Sequence, residues 1–273
     1  MKFLRIHARP GPRTGLVLSL LLFVLCLAAY VATAYVRHQE NPQDKVVPTV
    51  GQLAQGFYRA AFETDRDGEY RLLVDTVASA RRFAISVALL FLGVLLGLHM
   101  GLLPYVEKLF LRFLLFFDKV PALALLPILF IAFGLDETSK IALIVIGVFP
   151  TIALDSYLRT KNVPEEQIIK GLTLGASDAE IAYRIVLPQI LPQVLDTLRL
   201  NLKAVVLFLI AGESLAATAG LGYRVFVVRR YLAMDIIIPY VIWISLLAFL
   251  ADLALRLWIR WRYRWCDPQA LTG

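Results

Sequence analysis

Charge, cysteine and histidine are all scarce in this chain of 273 residues. Charged residues make up 18% and hydrophobic residues 59%, with a mean hydropathy of +0.70. A soluble domain carries about 25% charged and about 45–50% apolar residues. The deficit excludes a soluble enzyme and a disordered chain. The two cysteines, Cys26 and Cys266, stand at opposite ends, one in an apolar run and one in a basic tail, which excludes a disulfide framework. His7, His38 and His99 are scattered. With no HExxH and no Cys/His cluster, no metal site and no membrane metalloenzyme chemistry are expected. GxxxxGK[ST] is also missing. GLTLGAS (171–177) has the glycines but lacks the Lys-Ser/Thr pair, so the chain has no phosphate cradle of its own. No catalytic residues are expected.

What is present is apolar sequence in long blocks. Six segments, at 15–36, 76–98, 109–133, 138–158, 189–212 and 236–259, each suffice to cross roughly 30 Å of hydrocarbon at 1.5 Å per residue. The expected fold is therefore an all-α integral membrane protein with about six transmembrane helices. Pro121 and Pro127 predict a bend in the third segment, because proline removes a backbone donor. Such a bend serves either a pathway or packing, and the sequence leaves both open.

The net charge is +7, from 28 Lys+Arg against 21 Asp+Glu. Basic residues gather on the cytoplasmic loops of membrane proteins, so the excess needs no nucleic-acid partner. The basic N-terminal tail (Lys2, Arg5, Arg9, Arg13) and the basic C-terminal tail favour both termini in the cytoplasm. The first apolar run resembles a signal peptide with an Ala32-Thr33-Ala34 cleavage site, but it is long for one and reads as a retained anchor. The reading divides the chain into a cytoplasmic tail (1–14), a first span (15–36), an extracytoplasmic segment (37–75), a core (76–260) and a cytoplasmic tail (261–273). Within 47–62, Val50, Leu53, Ala54, Phe57 and Ala61 form one apolar helical stripe. It is placed flat on the outer membrane face, although packing on the other spans fits the same pattern.

An ionisable side chain at mid-bilayer costs roughly 2.5–3.5 kcal/mol and is a functional candidate by default. The candidates are Asp118 and Lys119, Asp155, Asp196, Arg199 and Lys203, Glu213 and Asp252. Asp196, Arg199 and Lys203 share one helix face, where Asp196 and Arg199 are spaced to pair. That face is either a structural ion pair or a polar stripe along a translocation pathway. Glu213 either shapes the path or satisfies a helix end.

The segment 159–188, RTKNVPEEQIIKGLTLGASDAEIAYRIVLP, is polar and helix-forming. Pro164, Glu165 and Glu166 suit a helix start. Gly175 suits its end, since glycine accepts the left-handed cap. Ser177 with Glu180 three residues later forms a capping box, and Pro188 opens the next span. The spacing predicts a helix–turn–helix projecting into the cytoplasm, and a compact capped loop of this length reads as a docking surface.

Gly175, Ile185, Leu187 and Pro188 have the spacing G-x9-I-x-L-P. This resembles the loop by which ABC importer permeases dock on their ATPase. VPALALLPILFIAFGLDETSK (120–140), RIVLPQILPQVLDTLRL (184–200) and AGESLAATAGLGY (211–223) extend the resemblance, over about residues 70–260, to the nitrate/taurine/sulfonate branch of binding-protein-dependent permeases. Two places depart from the family pattern. Its Glu-Ala-Ala is replaced by Ile169-Lys170-Gly171, with acids upstream at Glu165 and Glu166, and the third span carries Phe117-Asp118-Lys119.

The resemblance implies a type I importer core in a bacterial plasma (inner) membrane. It also implies a second permease chain, two copies of an ATP-binding subunit that uses ATP and Mg, and an extracytoplasmic solute-binding protein. No cofactor is implied on this chain. The docking loop would comprise Glu165, Glu166, Gly171, Gly175, Ala176, Ser177, Ile185, Leu187 and Pro188, and the pathway or gate Asp118, Pro121, Asp155, Arg199, Lys203 and Glu213. The expected solute is small and polar: nitrate, sulfonate or taurine-like, or, since Asp118 adds acid to the pathway, a nitrogen-rich cation of guanidinium or urea type. Ion-gradient transport is the alternative, against which no inverted repeat is visible. A scaffold without transport would leave the charged spans unused.

Overall fold

A computed structural model describes residues 11–41, 44–64 and 68–265. Lys2, Arg5, His7, Arg9 and Cys266 lie outside the described residues. α1 (Pro12–Glu40) starts on a proline in its first turn and ends on Arg37 and His38. α2 (Val50–Phe62) opens on a reciprocal cap between Thr49 and Gln52. α3 (Arg71–Leu102) and α4 (Pro104–Phe117) follow, then a 3-10 turn (Ala122–Leu125) and α5 (Leu126–Phe133). α6 (Glu137–Lys161) leads to α7 (Glu165–Thr173) and the short α8 (Asp178–Glu180). A π-helical turn (Ile181–Val186) then runs into α9 (Leu187–Leu200). α10 (Leu202–Ala216), α11 (Leu221–Arg229) and α12 (Met234–Arg262) complete the described chain. No strand of a sheet occurs among the described residues, only one isolated bridge between Thr64 and Tyr70.

Four helices, α1, α3, α6 and α12, are long and apolar enough to span a bilayer. One bent pair passes the same test when its two helices are taken together, as a broken span or a re-entrant loop. α4 and the stretch Ala122–Phe133 meet at 86°, with Pro121 capping the 3-10 turn at the break. The segment expected as one helix over 189–212 is two, α9 of 14 residues and α10 of 15, meeting at Asn201. Neither alone reaches the roughly 17–25 residues of a spanning helix.

α3 and α6 form the centre of the fold. Gly93, Gly97 and Gly101 lie one turn apart on α3 and let α6 approach to backbone distance. A Cβ on Gly97 would sit 2.3 Å from the Ala153 carbonyl oxygen. Small residues at such spacing are how spans pack where lipid removes the hydrophobic drive between helices. Leu90, Val94 and Leu98 of α3, Ile144, Val148 and Ile152 of α6, Ile190 and Val194 of α9 and Val205 of α10 make one buried cluster.

Phe57 and Ala61 of the α2 stripe pack against protein, while Val50 and Ala54 stay exposed. Gly56 and Ala60 are buried, Phe57 packs tilted on Trp243 with ring centroids 6.1 Å apart, and Arg59 pairs with Asp235 at 3.0 Å. α2 therefore rides on α12.

α3 also separates two poles. Near its start Asp75 bonds to Gly220 and Arg224, and near its end His99 meets Tyr183. At 1.5 Å per residue those positions are ~36 Å apart. The segment after α10 and the α7–α9 segment thus lie at opposite ends of the molecule.

Candidate functional site

At one pole stands the helix–turn–helix. α7 begins after Pro164 with Glu165 and Glu166 in its first turn. Gly175 adopts φ +86, Ala176 N donates to Gly171 O at 3.1 Å and Gly175 N to Leu172 O at 2.9 Å. This pair of bonds closes the helix in a Schellman motif. Ser177 and Glu180 then cap each other, Ser177 N donating to Glu180 Oε2 at 3.1 Å and Glu180 N to Ser177 Oγ at 3.3 Å. Gly171 is buried because Ile185 and Ile181 of the π turn pack onto it. Leu187 and Pro188 start α9. The outer face leaves Ile169, Leu172 and Leu174 exposed, an apolar surface on a polar loop.

Tyr183 ties the loop to the core. Its hydroxyl lies 3.1 Å from His99 Nε2, while His99 Nδ1 lies 2.7 Å from the Leu95 carbonyl oxygen. A carbonyl only accepts, so Nδ1 carries the hydrogen and Nε2 accepts from Tyr183. π turns of this kind are rare and recur at functional sites. The sequence pattern gave no sign of this one.

At the other pole lies a buried ionic network that sequence reasoning found only in part. Glu213 is fully buried. Its Oε1 accepts from Ser79 Oγ and Arg82 Nη1, both at 2.7 Å, and its Oε2 from Gly222 N at 2.8 Å. Arg82 reaches on to Ala219 O and to Glu137, which also holds Lys140 at 2.8 Å. Asp75, also fully buried, accepts from Gly220 N, Arg224 Nε and the Tyr240 hydroxyl. Three acids and three bases balance here, which is what makes burial tolerable. Gly220, at φ +143, lies so close that a Cβ would sit 2.6 Å from Glu213 Cδ. Glu213 was singled out from the sequence, whereas Asp75, Ser79, Arg82, Glu137, Lys140, Arg224 and Tyr240 were not. The missed signal was the i, i+4, i+7 spacing of Asp75, Ser79 and Arg82 on one face of α3.

The remaining candidates form three separate groups. Asp118 ends α4 at the break, accepting from Lys119 at 2.8 Å and from Thr151 at 3.0 Å. Asp155 holds Arg159 at 2.6 Å and Thr197 at 2.7 Å, joining α6 to α9. Arg199 pairs with Asp196 at 2.8 Å, as their spacing predicts, and also with Asp252 of α12 at 3.0 Å. Lys203 is exposed and lines an open groove of about 610 Å³ between α10 and α12. No group of three or more potential metal ligands occurs among the described residues.

Residues 90–264 match the family described as "Binding-protein-dependent transport system inner membrane component". The chain belongs to this family. It is 38% identical to the taurine transport system permease protein TauC of Escherichia coli (strain K12), over 63% of this chain and 62% of that one. It is 32% identical to the putative aliphatic sulfonates transport permease protein SsuC of the same organism, over 52% and 56% of the two chains. It is 33% identical to the putative ABC transporter permease protein MJ0413 of Methanocaldococcus jannaschii, over 69% and 72%. The chain thus spans about six tenths of the length of the first two relatives.

Among solved structures, a chain of the MetNI methionine ABC transporter in an inward-facing form superposes with a TM-score of 0.52 at 19% identity. The match covers 68% of this chain and 96% of that one. At that identity the likeness shows the fold alone. The helix–turn–helix, Glu213 and the Arg199 group fall inside the matched family region, whereas α1, α2 and the Asp75–Arg82 face of α3 precede it. Membership of an inner-membrane family agrees with the several helices long and apolar enough to cross a membrane.

Proposed function

We propose that the chain is the permease subunit of an ATP-driven importer that moves a small polar solute into the cytoplasm. It works with a second permease chain, two ATP-binding subunits and an extracytoplasmic solute-binding protein. The observation that carries this reading is the doubly capped helix–turn–helix, closed at Gly175, packed at Gly171 and presenting Ile169, Leu172 and Leu174 outward. A loop that served only to join α6 to α9 needs neither the caps nor the apolar face. In this reading the loop docks on the ATP-binding subunit and faces the cytoplasm, as do both termini, and the Glu213 network faces outside.

ATP and Mg belong to the partner. The permease makes and breaks no covalent bond. Closure of the ATPase pair pushes the loop, and Tyr183 and α9 pass the displacement to the core, shifting it between inward-open and outward-open forms. Asp118, Pro121, Asp155, Arg199 and Lys203 contribute to the path, and Glu213 holds the outer end of the core. Relatives named for taurine and aliphatic sulfonates support a sulfonate-type solute. A guanidinium-type cation at Asp118 would have to displace Lys119.

The test is co-purification of the tagged chain from its native membrane, beside a Gly175→Pro variant, with ATP-driven uptake measured in vesicles. A nucleotide-hydrolysing subunit should accompany the wild type and be lost with the variant. Its absence from the wild type, or uptake that follows an ion gradient without ATP, overturns the reading.

A further inference from the structure

The last turns of α12 carry a dense basic and aromatic patch. Between Leu253 and Trp265 the sequence holds Arg256, Arg260, Arg262 and Arg264, the tryptophans Trp258, Trp261 and Trp265, and no acid. Of residues 256–262 only Ile259 is buried. Arg256, Arg260 and Arg264 make no hydrogen bond or ion pair among the described residues, and Arg262 only lies over the Tyr263 ring, 5.6 Å from its centroid. None of these positive charges is therefore paired with a carboxylate of the described chain. The rings are ordered. Trp258 meets Tyr263 edge-on with centroids 6.1 Å apart, and Tyr263 meets Trp265 in the same way at 6.2 Å.

The patch lies towards the pole of the helix–turn–helix. α12 starts at the other pole, where the Tyr240 hydroxyl donates to Asp75 and Trp243 Nε1 to Thr76. Further along, Asp252 accepts from Arg199 at 3.0 Å. At 1.5 Å per residue, Tyr240 to Asp252 is ~18 Å, and so is Leu187 to Arg199 along α9. The two legs together match the ~36 Å between the poles along α3. The arginines run on past Asp252, where the apolar stretch of a helix long enough to span a bilayer gives out.

Tryptophan rings at the end of such a helix settle at the level of the lipid headgroups. Arginine stems reach outward from that level, and the guanidinium fork matches phosphate oxygens bidentately. Arg256 and Arg260 lie one turn apart on a face that borders the buried Ile259. We infer that the end of α12 binds an anionic phospholipid in the leaflet on the side of the helix–turn–helix. Arg256 and Arg260 hold its phosphate, Arg262 and Arg264 add to the attraction, and the tryptophans cover its glycerol region. A neutral lipid covers the rings but leaves the net positive charge unmet. A soluble anion meets the guanidinium groups but leaves the tryptophans in water. An anionic lipid satisfies both. The inference does not depend on the transport reading.

Fluorescence reads the site directly, because three of the four tryptophans stand in the patch and Trp243→Phe removes the fourth. The full chain with that substitution is placed in phosphatidylcholine bilayers that contain a small fraction of bromine-labelled phosphatidylglycerol or, in parallel, of bromine-labelled phosphatidylcholine. The anionic probe should quench more strongly at equal fraction, with a preference of about fivefold or more, since one basic residue near an anionic surface is worth a factor of that order. Arg256→Gln combined with Arg260→Gln should remove most of that preference. Both arginines are exposed, so the variant should keep its helical content, which circular dichroism checks. Should Trp243→Phe fold poorly, the wild type serves, since Trp243 adds the same background with either probe. Equal quenching by the two probes, or an unchanged preference in the double variant, overturns the inference. Loss of the preference on adding inorganic phosphate also overturns it and makes the patch a site for soluble anions.

Discussion

Arg82 and Glu213, 131 residues apart, meet at 2.7 Å with side chains 5% and 0% exposed. The pair fastens α3 to the end of α10, and through Ala219 and Gly222 to the loop between α10 and α11. Removing one member leaves the other buried with its main countercharge gone or reduced. Breaking a buried pair in this way costs about 3–5 kcal/mol. Glu213→Gln should therefore lower the unfolding temperature of the purified chain sharply. Lys119→Gln, which loosens only an exposed ammonium from Asp118, should leave it nearly unchanged. Thermal unfolding in detergent followed by circular dichroism compares the two.

Gly97 predicts the behaviour of the α3–α6 interface. Its Cβ would meet Ala153 O at 2.3 Å and Tyr157 N at 2.8 Å, both backbone atoms that cannot swing aside. Gly97→Ala should reach the upper end of the about 1–3 kcal/mol that overpacking costs. Gly15 is the control, since nothing would stand within 4 Å of its Cβ. Gly15→Ala should be neutral or slightly stabilising through helix propensity. Yield of monodisperse protein from the membrane is the readout.

Local chemistry was legible in the sequence and distant chemistry was not. Gly175 and Ser177 announced their caps because a cap is decided within a few residues. Asp196 and Arg199 announced their pairing because it lies on one helix face. Pro121 announced a bend, though not its size of 86°. The side-chain partners of Glu213 come from α3, more than 130 residues away, so no spacing near AGESLAATAGLGY names Ser79 or Arg82. The break at Asn201 carries no proline or glycine, and the seat of α2 on α12 depends on a glycine, Gly56, meeting the backbone of Asp235.

The cap on α8 makes the loop sensitive to acid. Glu180 is held below its ordinary value of 4.5, first by the Ser177 backbone N–H, then by the Ser177 hydroxyl and by Arg184. A depressed carboxylate stabilises the fold fully above its unfolded value and loses that contribution as pH falls through the folded one. Amide exchange at residues 177–180 should therefore be steady from pH 7 down to about 4.5 and, after correction for intrinsic rates, speed up below it. Glu180→Gln should remove that change. Ser177→Ala, which deletes the other half of the box, should cost the loop about 1 kcal/mol at neutral pH.

The contact between His99 and Tyr183 predicts how far the loop controls the core. His99 commits Nδ1 to Leu95 O, so only Nε2 is left for the Tyr183 hydroxyl. The two rings also meet edge-on at 5.8 Å. Tyr183→Phe keeps the ring contact and removes the hydrogen bond, whose net worth is about 0.5–1.5 kcal/mol. If the loop moves the core through this contact, uptake per ATP hydrolysed should fall by roughly two- to tenfold, because RT is about 0.59 kcal/mol and the bond's worth enters an equilibrium exponentially. ATP hydrolysis and co-purification of the ATPase should persist, since the docking surface is untouched. A variant that loses hydrolysis and transport together would place Tyr183 in docking. One that couples like wild type would assign the coupling to other contacts of the loop with the core, such as the packing of Ile168 and Ile185 and the joint between the π turn and α9.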